Sequence, residues 1–223
     1  MTTLKIQNIV CPHCQNKMYT IGVMSFIIRN SEVFSDGKVI SNPSRPSEQN
    51  ILICSKCYEA FWKDDAQIDN ETPDYLLDNL PEANSVMDLF PGFEPNNKLK
   101  LATYFNELLN KGFATTKERE VYLRLELWRT LNDTVRYQKK PTTYKIKDLF
   151  TTNLTTLLTI FKPKGDDELL LVVEMNRELG EFEKAFELLK KINRTNDSIN
   201  CKQIENAIKN NKSTVFKISE FNK

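Results

Sequence analysis

Histidine occurs once in this chain of 223 residues, glycine six times and proline nine times. With His13 as the only imidazole, no Ser–His–acid set stands out. No glycine-rich loop is present to cradle a phosphate. So little glycine and proline excludes collagen-like and low-complexity classes. Long apolar runs are missing too: the densest, Leu169 to Met175, falls far short of the roughly 20 residues that a membrane-spanning helix needs. The first 18 residues have no apolar core behind a basic start, so no secretion signal is expected and the expected compartment is the cytoplasm. A large charge of one sign is also lacking. The formal net charge is +1, so no global field favours nucleic acid or a membrane surface.

Against these absences stand five cysteines, and they are not scattered. Cys11 and Cys14 form one C-x2-C pair, "CPHC", and Cys54 and Cys57 form a second, "CSKC"; 39 residues separate the pairs. In a reducing compartment such pairs read as metal ligands or reactive thiols rather than as a disulfide framework. Zn2+ takes four ligands tetrahedrally, and two cysteines spaced by two residues can point at one ion from a tight turn. Each pair follows a short apolar run, "NIV" and "ILI", which puts both turns at strand ends. The expectation is one structural Zn2+ held by Cys11, Cys14, Cys54 and Cys57. Four thiolates close the coordination shell, so metal catalysis is not expected.

The sequence "CPHC" also resembles the active-site motif of thioredoxin-fold oxidants, and a thiol-disulfide oxidoreductase using Cys11 and Cys14 is the redox alternative. There the first thiol sits at a helix N-terminus, which depresses its pKa. Here the residues after Cys14 read as strand, no export signal is seen, and the second pair would have no role. His13 reads as an exposed spacer, and Cys201 as a small, at least half-buried apolar residue. Lys5, Lys17, Lys56 and Lys63 could offset the formal −2 charge of a Zn(Cys)4 centre, or be ordinary surface lysines.

The pattern along the chain predicts an α+β protein. Residues 1–63 read as a small β-rich, zinc-ribbon-like module. "KMYTIGVMSFIIR" is rich in β-branched and aromatic residues, "SDGK" (Ser35 to Lys38) is a hairpin signal, and residues 41–50 are a polar, proline-punctuated loop. Residues 64–95 form an acidic joint with nine Asp or Glu between 64 and 94 and no Lys or Arg. It also holds Tyr75, Leu76, Leu77, Leu80, Phe90 and Phe93, so short packed helices and turns are expected. From 96 to 223 the period is helical. Gly112 is a candidate C-cap, and Thr115 with Glu118 has capping-box spacing. Val121, Leu125, Trp128 and Val135 form a stripe ended by Pro141. Another helix spans Ile146 to Phe161 despite five threonines. Two amphipathic helices flank Gly180, a last helix covers about 198–209, and the basic tail is expected to fray.

Gly180 followed by Phe182, Ala185 and Leu189 resembles the turn and second helix of a tetratricopeptide-like hairpin. "ILICSKCYEAFW", "YLRLELWRTLND" and "NRELGEFEKAFELL" resemble segments of a bacterial family of unknown function, in which a CxxC…CxxC module precedes tetratricopeptide-like helices. Glycine often follows the second cysteine of such knuckles; here Gln15 and Tyr58 stand there, and Asn16 is a candidate for the left-handed position. The resemblance implies a fold and a metal but no activity. The function expected is a non-enzymatic adaptor whose helical domain docks a protein or peptide. The alternative is nucleic-acid binding through the ribbon, with Tyr58, Phe61 and Trp62 stacking on bases. Residues 1–63 carry seven basic against four acidic side chains, a weak excess for that role.

Overall fold

The computed structural model describes residues 3–25, 30–42, 50–68, 81–89, 94–136, 144–192 and 199–218. Most of the acidic joint, including Tyr75, Leu76, Leu77, Leu80, Phe90 and Phe93, lies outside the described residues, as do Pro141, the loop 43–49 and the tail 219–223. Two compact units are present. One is Met1–Asn30 with Ser41–Pro91, and the other is Ser31–Ile40 with Gly92–Lys223.

The first unit is made of short antiparallel strands. Strand β1 (Thr3–Val10) pairs with β2 (Lys17–Ser25), placing Ile9 opposite Met18. Next in sequence come β3 (Asn30–Phe34) and β4 (Val39–Asn42), whose residues 31–40 belong to the second unit. Strand β5 (Ile51–Ile53) pairs with β6 (Ala60–Trp62), placing Leu52 opposite Phe61. Two short strands complete the unit: β7 (Gln67–Ile68) on β1, and β8 (Asn84–Ser85) on β5. Ile9, Met18, Leu52, Phe61 and Ala83 form its core together with Cys11 and Cys54. The two-residue period of a strand explains why the first cysteine of each pair is inside. Cys11 continues the face of Ile9, and Cys54 continues the face of Leu52; all four side chains are buried.

Among the described residues the second unit has six helices: α1 (Pro95–Asn110), α2 (Lys117–Asp133), α3 (Tyr144–Ile160), α4 (Asp166–Glu178), α5 (Phe182–Leu189) and α6 (Ile199–Lys209). The first five each pack on the next in sequence, and α6 packs on both α4 and α5. Glycine sets two of the ends. Gly112 and Gly180 take positive φ (71° and 84°). The amides of Gly112 and Phe113 bond back to Leu109 and Leu108, and those of Gly180 and Glu181 to Arg177 and Asn176, satisfying the last carbonyls of α1 and α4. The cap of α2 is Thr116, whose hydroxyl accepts from the Arg119 amide at 3.3 Å, one residue later than the capping-box spacing suggests. In α3 the hydroxyls of Thr156 and Thr159 donate to carbonyls of their own helix, while Leu154 and Leu157 pack with Trp128 and Met175. Packing, not propensity, holds this helix.

This unit is not wholly helical. The β3–β4 hairpin belongs to it, and β9 (Lys217–Ile218) pairs with β3 to give a three-stranded sheet. The cause is Asp36 at the hairpin tip. Its carboxylate is fully buried and accepts from both Nη atoms of Arg136 (3.2 and 2.7 Å), from Asn132 Nδ2 (3.1 Å) and from the Lys38 amide (3.2 Å). Arg136 also donates to Asp133 at 2.9 Å and lies over the Phe34 ring at 4.3 Å. The network continues into α4. Asn132 Nδ2 and Trp128 Nε1 donate to Glu178, and Arg177 pairs with Glu174 and donates to the carbonyls of Lys212 and Thr214. Residues 212–218 are therefore tied down, contrary to the expectation of a frayed tail. Burial, with the charges of Glu174 and Asp36, pushes the Glu178 carboxyl well above the usual range. Burial would raise Asp36 as well, but Arg136, Asn132 and the Lys38 amide hold it below the ordinary carboxylate value.

Removing one member of a buried ion pair leaves the other uncompensated. Asp36→Ala is expected to destabilise the second unit by about 3–5 kcal/mol, read from urea unfolding followed by helical circular dichroism. Because the folded pKa of Asp36 is depressed, its contribution is present above the ordinary carboxylate pKa and is lost as pH falls below it. The gap between wild type and variant should therefore narrow on acidification. A gap that stays constant down to strongly acidic pH would show that the charge of Asp36 is not the cause.

Candidate metal centre

The turn between β1 and β2 and the turn between β5 and β6 are built alike. The Cys11 amide donates to the Asn16 carbonyl (2.9 Å) and the Gln15 amide to the Cys11 carbonyl (3.0 Å). In the second turn the Cys54 amide donates to Glu59 (3.1 Å) and the Tyr58 amide to Cys54 (3.0 Å). Closing such a turn requires one residue with positive φ. Gln15 (59°) and Tyr58 (60°) take that conformation themselves, so Asn16 does not supply it. Both positions are exposed, where a long side chain in the left-handed region clashes least.

These turns bring together the four cysteines singled out by their spacing. The sulfurs of Cys11, Cys14, Cys54 and Cys57 all lie within 4.8 Å of one another. Cys11 Sγ is 3.9 Å from Cys57 Sγ, and Cys14 Sγ is 3.6 Å from Cys54 Sγ. None forms a disulfide. A regular tetrahedron with Zn–S bonds of about 2.3 Å has S–S edges of about 3.8 Å, so the donor set fits one tetrahedral metal ion. Cys11 and Cys54 point from the core; Cys14 and Cys57 are half-buried and close the other side.

The electrostatics of the cluster also suit a cation. Burial pushes the Cys11 thiol up to about 12. Burial acts on Cys54 too, but the amides of Cys57 and Lys56 and the thiols of Cys14 and Cys57 donate toward it and bring it down to about 7. Cys57 is raised: the Glu59 amide favours its thiolate, but burial and the bonds to Cys54 and Cys14 oppose it. Four packed thiols cannot all ionise against one another; a divalent ion removes that repulsion. Lys56 meets the cluster through its backbone N–H, which reaches Cys54 Sγ at 3.4 Å.

The neighbouring residues hold the turns together. His13 is exposed, and its Nε2–H donates to the Ala60 carbonyl at 3.1 Å, joining the first turn to β6. Asn16 Nδ2 reaches Ser55 Oγ at 3.5 Å, and the Ser55 amide reaches Met18 Sδ at 3.5 Å. Nothing in the spacing of the cysteines signals these cross-links, since each joins residues more than 35 apart. Cys201 is far from the cluster in sequence and packs half-buried against Val173, Ile204 and their neighbours in the helical unit. Of the three aromatics considered for base stacking, Phe61 and Trp62 are buried and only Tyr58 is exposed, at 76%.

Comparison of the chain with protein-family models, with curated proteins and with solved structures finds no match. Among the described residues no helix is long and apolar enough to cross a membrane.

The left-handed positions carry a direct test. Tyr58→Gly removes the steric cost of positive φ and is expected to stabilise the first unit by about 1 kcal/mol. Thermal unfolding of the metal-loaded protein checks it. A loss of stability would mean that the Tyr58 ring contributes packing that outweighs its backbone strain.

Proposed function

We propose that Cys11, Cys14, Cys54 and Cys57 hold one structural Zn2+ and that the chain is a non-enzymatic interaction protein. In this reading a zinc-ribbon-like module accompanies a tetratricopeptide-like helical domain that docks a protein or peptide. The observation that carries it is the convergence of four thiols from two matched strand turns. All four positions of a tetrahedron are filled by protein, which leaves no open site for substrate or water and suits a metal that holds the fold. The same feature counts against an oxidoreductase on Cys11 and Cys14. That pair sits at a strand turn, without the helix N-terminus that activates such thiols, and the second pair faces it. Nucleic-acid binding loses two of its three candidate stacking residues to the core.

Zinc chemistry predicts about one equivalent of Zn2+ per chain in protein purified without added metal. Cys57→Ser should lower that content and unfold the first unit, whereas Cys201→Ser should leave the content unchanged. Elemental analysis with thiol counting decides it. A metal-free native protein with an oxidisable Cys11–Cys14 pair would overturn the reading.

The docking role rests on the helical array, in which Ala185 is fully buried between α5 and its neighbours and sets how closely α4 and α5 approach. Ala185→Phe should overpack that seam by about 1–3 kcal/mol. If the array is the docking surface, partner capture from cell extract should fall in this variant while Zn2+ content is unchanged. Unaltered capture would place the partner elsewhere.

A further inference from the structure

Two sulfur contacts in the four-cysteine centre cross from one turn to the other. Cys14 Sγ lies 3.6 Å from Cys54 Sγ, and Cys11 Sγ lies 3.9 Å from Cys57 Sγ. Each contact joins unlike partners. Cys14 and Cys57 are half-buried, within reach of an oxidant in solvent, whereas Cys54 and Cys11 are fully buried in the core of the first unit. An accessible thiol facing a shielded one suits a sulfur that is oxidised first and a second that captures the product.

The turns are also held by bonds that do not involve sulfur. The Cys11 amide donates to the Asn16 carbonyl, and the Cys54 amide to the Glu59 carbonyl. Between the turns His13 Nε2 reaches the Ala60 carbonyl, and Asn16 Nδ2 reaches Ser55 Oγ. These bonds keep the cross-turn sulfurs in register. A disulfide requires them to close from 3.6 Å to about 2.05 Å, a distance that side-chain rotation can cover.

Resting on the zinc reading above, we infer that the centre is a peroxide-sensitive switch, in which a hydroperoxide converts metal-holding thiolates into the cross-turn disulfides Cys14–Cys54 and Cys11–Cys57 rather than into disulfides within either C-x2-C pair. The Cys14 thiolate attacks one peroxide oxygen. An S–O bond forms, the O–O bond breaks, and the departing hydroxide takes a proton to become water. The Cys54 thiolate then attacks the sulfenic sulfur. The S–S bond forms, the S–O bond breaks, and the second hydroxide leaves as water with another proton. Two thiolates lose two electrons, and one hydrogen peroxide becomes two waters. Cys57 and Cys11 react in the same way with a second peroxide. After the first disulfide two donors remain, too few for a tetrahedral site, so the ion is released. The Cys14–Cys54 bond closes the 39-residue stretch between the pairs, so the two hairpins stay joined without the metal.

The test uses the full zinc-loaded chain and hydrogen peroxide, with a chromogenic zinc chelator, thiol counting and disulfide mapping by mass spectrometry of an unreduced digest. Zinc release should track thiol loss, the count falling from five by two for each disulfide, with Cys201 outside the cluster left reduced. The mapped bonds should be Cys14–Cys54 and Cys11–Cys57, and dithiothreitol with added Zn2+ should restore the starting state. Amide hydrogen exchange separates the switch from simple metal loss. The β1–β2 and β5–β6 hairpins should stay protected in the oxidised, metal-free protein and lose about tenfold or more of their protection in reduced protein stripped by a chelator. Disulfides Cys11–Cys14 or Cys54–Cys57 overturn the inference. So do zinc retained through peroxide treatment, sulfinic acid at Cys14 without a disulfide, or protection lost equally in both metal-free forms. A native chain that holds no zinc before oxidant is added fails the zinc reading, and this inference with it.

Discussion

A carboxylate that cannot be buried alone organises the helical unit. Asp36 sits at the tip of a hairpin that sequence order places among the strands of the first unit, yet it is buried against Arg136 just beyond the end of α2. Taking either charge out of water without the other costs several kcal/mol. The paired, doubly hydrogen-bonded arrangement avoids that cost, and it obliges the chain to leave the first unit at Ser31 and return at Ser41. Once the hairpin is seated, β3 offers an edge. Residues 217–218 pair with it, and Arg177 holds the carbonyls of Lys212 and Thr214. The C-terminal segment is thus ordered by the same buried polar network that receives the hairpin.

The network is close to charge balance. Asp36, Asp133 and Glu174 face Lys38, Arg136 and Arg177, each acid in an ion pair with a base. Glu178 is a fourth acid, its Oε1 3.6 Å from Arg177 Nη2. It receives Trp128 Nε1 and Asn132 Nδ2, but burial and its acidic neighbours favour its neutral form.

In the first unit the corresponding constraint is the pair of turns. Their backbone hydrogen bonds match, their core pairs match (Ile9 with Met18, Leu52 with Phe61), and each has a non-glycine residue at positive φ. Cys11 and Cys54, at the ends of two such core faces, are shut off from the water that would solvate a thiolate. A cation shared by the four would meet that need and would join the β1–β2 and β5–β6 hairpins. The steric cost at Gln15 and Tyr58 is a local price of that closure.

How much of this was legible from residues alone follows from the range of the interactions. The cysteine pairs announce a metal-binding cluster because the ligands of each turn are local and a two-residue spacing has few other uses. The α+β character, the helix ends at Gly112 and Gly180, and the last helix near 198–209 were readable for the same reason: capping and periodicity act over four or five residues. The allegiance of the Ser31–Ile40 hairpin was not readable. It depends on Asp36 meeting a base 100 residues away, and nothing local distinguishes a turn aspartate that faces water from one that faces an arginine. The left-handed role of Gln15 and Tyr58 was hidden because their types argue against it; only closure of the turn imposes it. Burial of Phe61 and Trp62 agrees with the simpler reading of the aromatics after Cys57 as packing residues, but their neighbours, such as Ile9 and Met18 around Phe61, were decided by packing between distant segments.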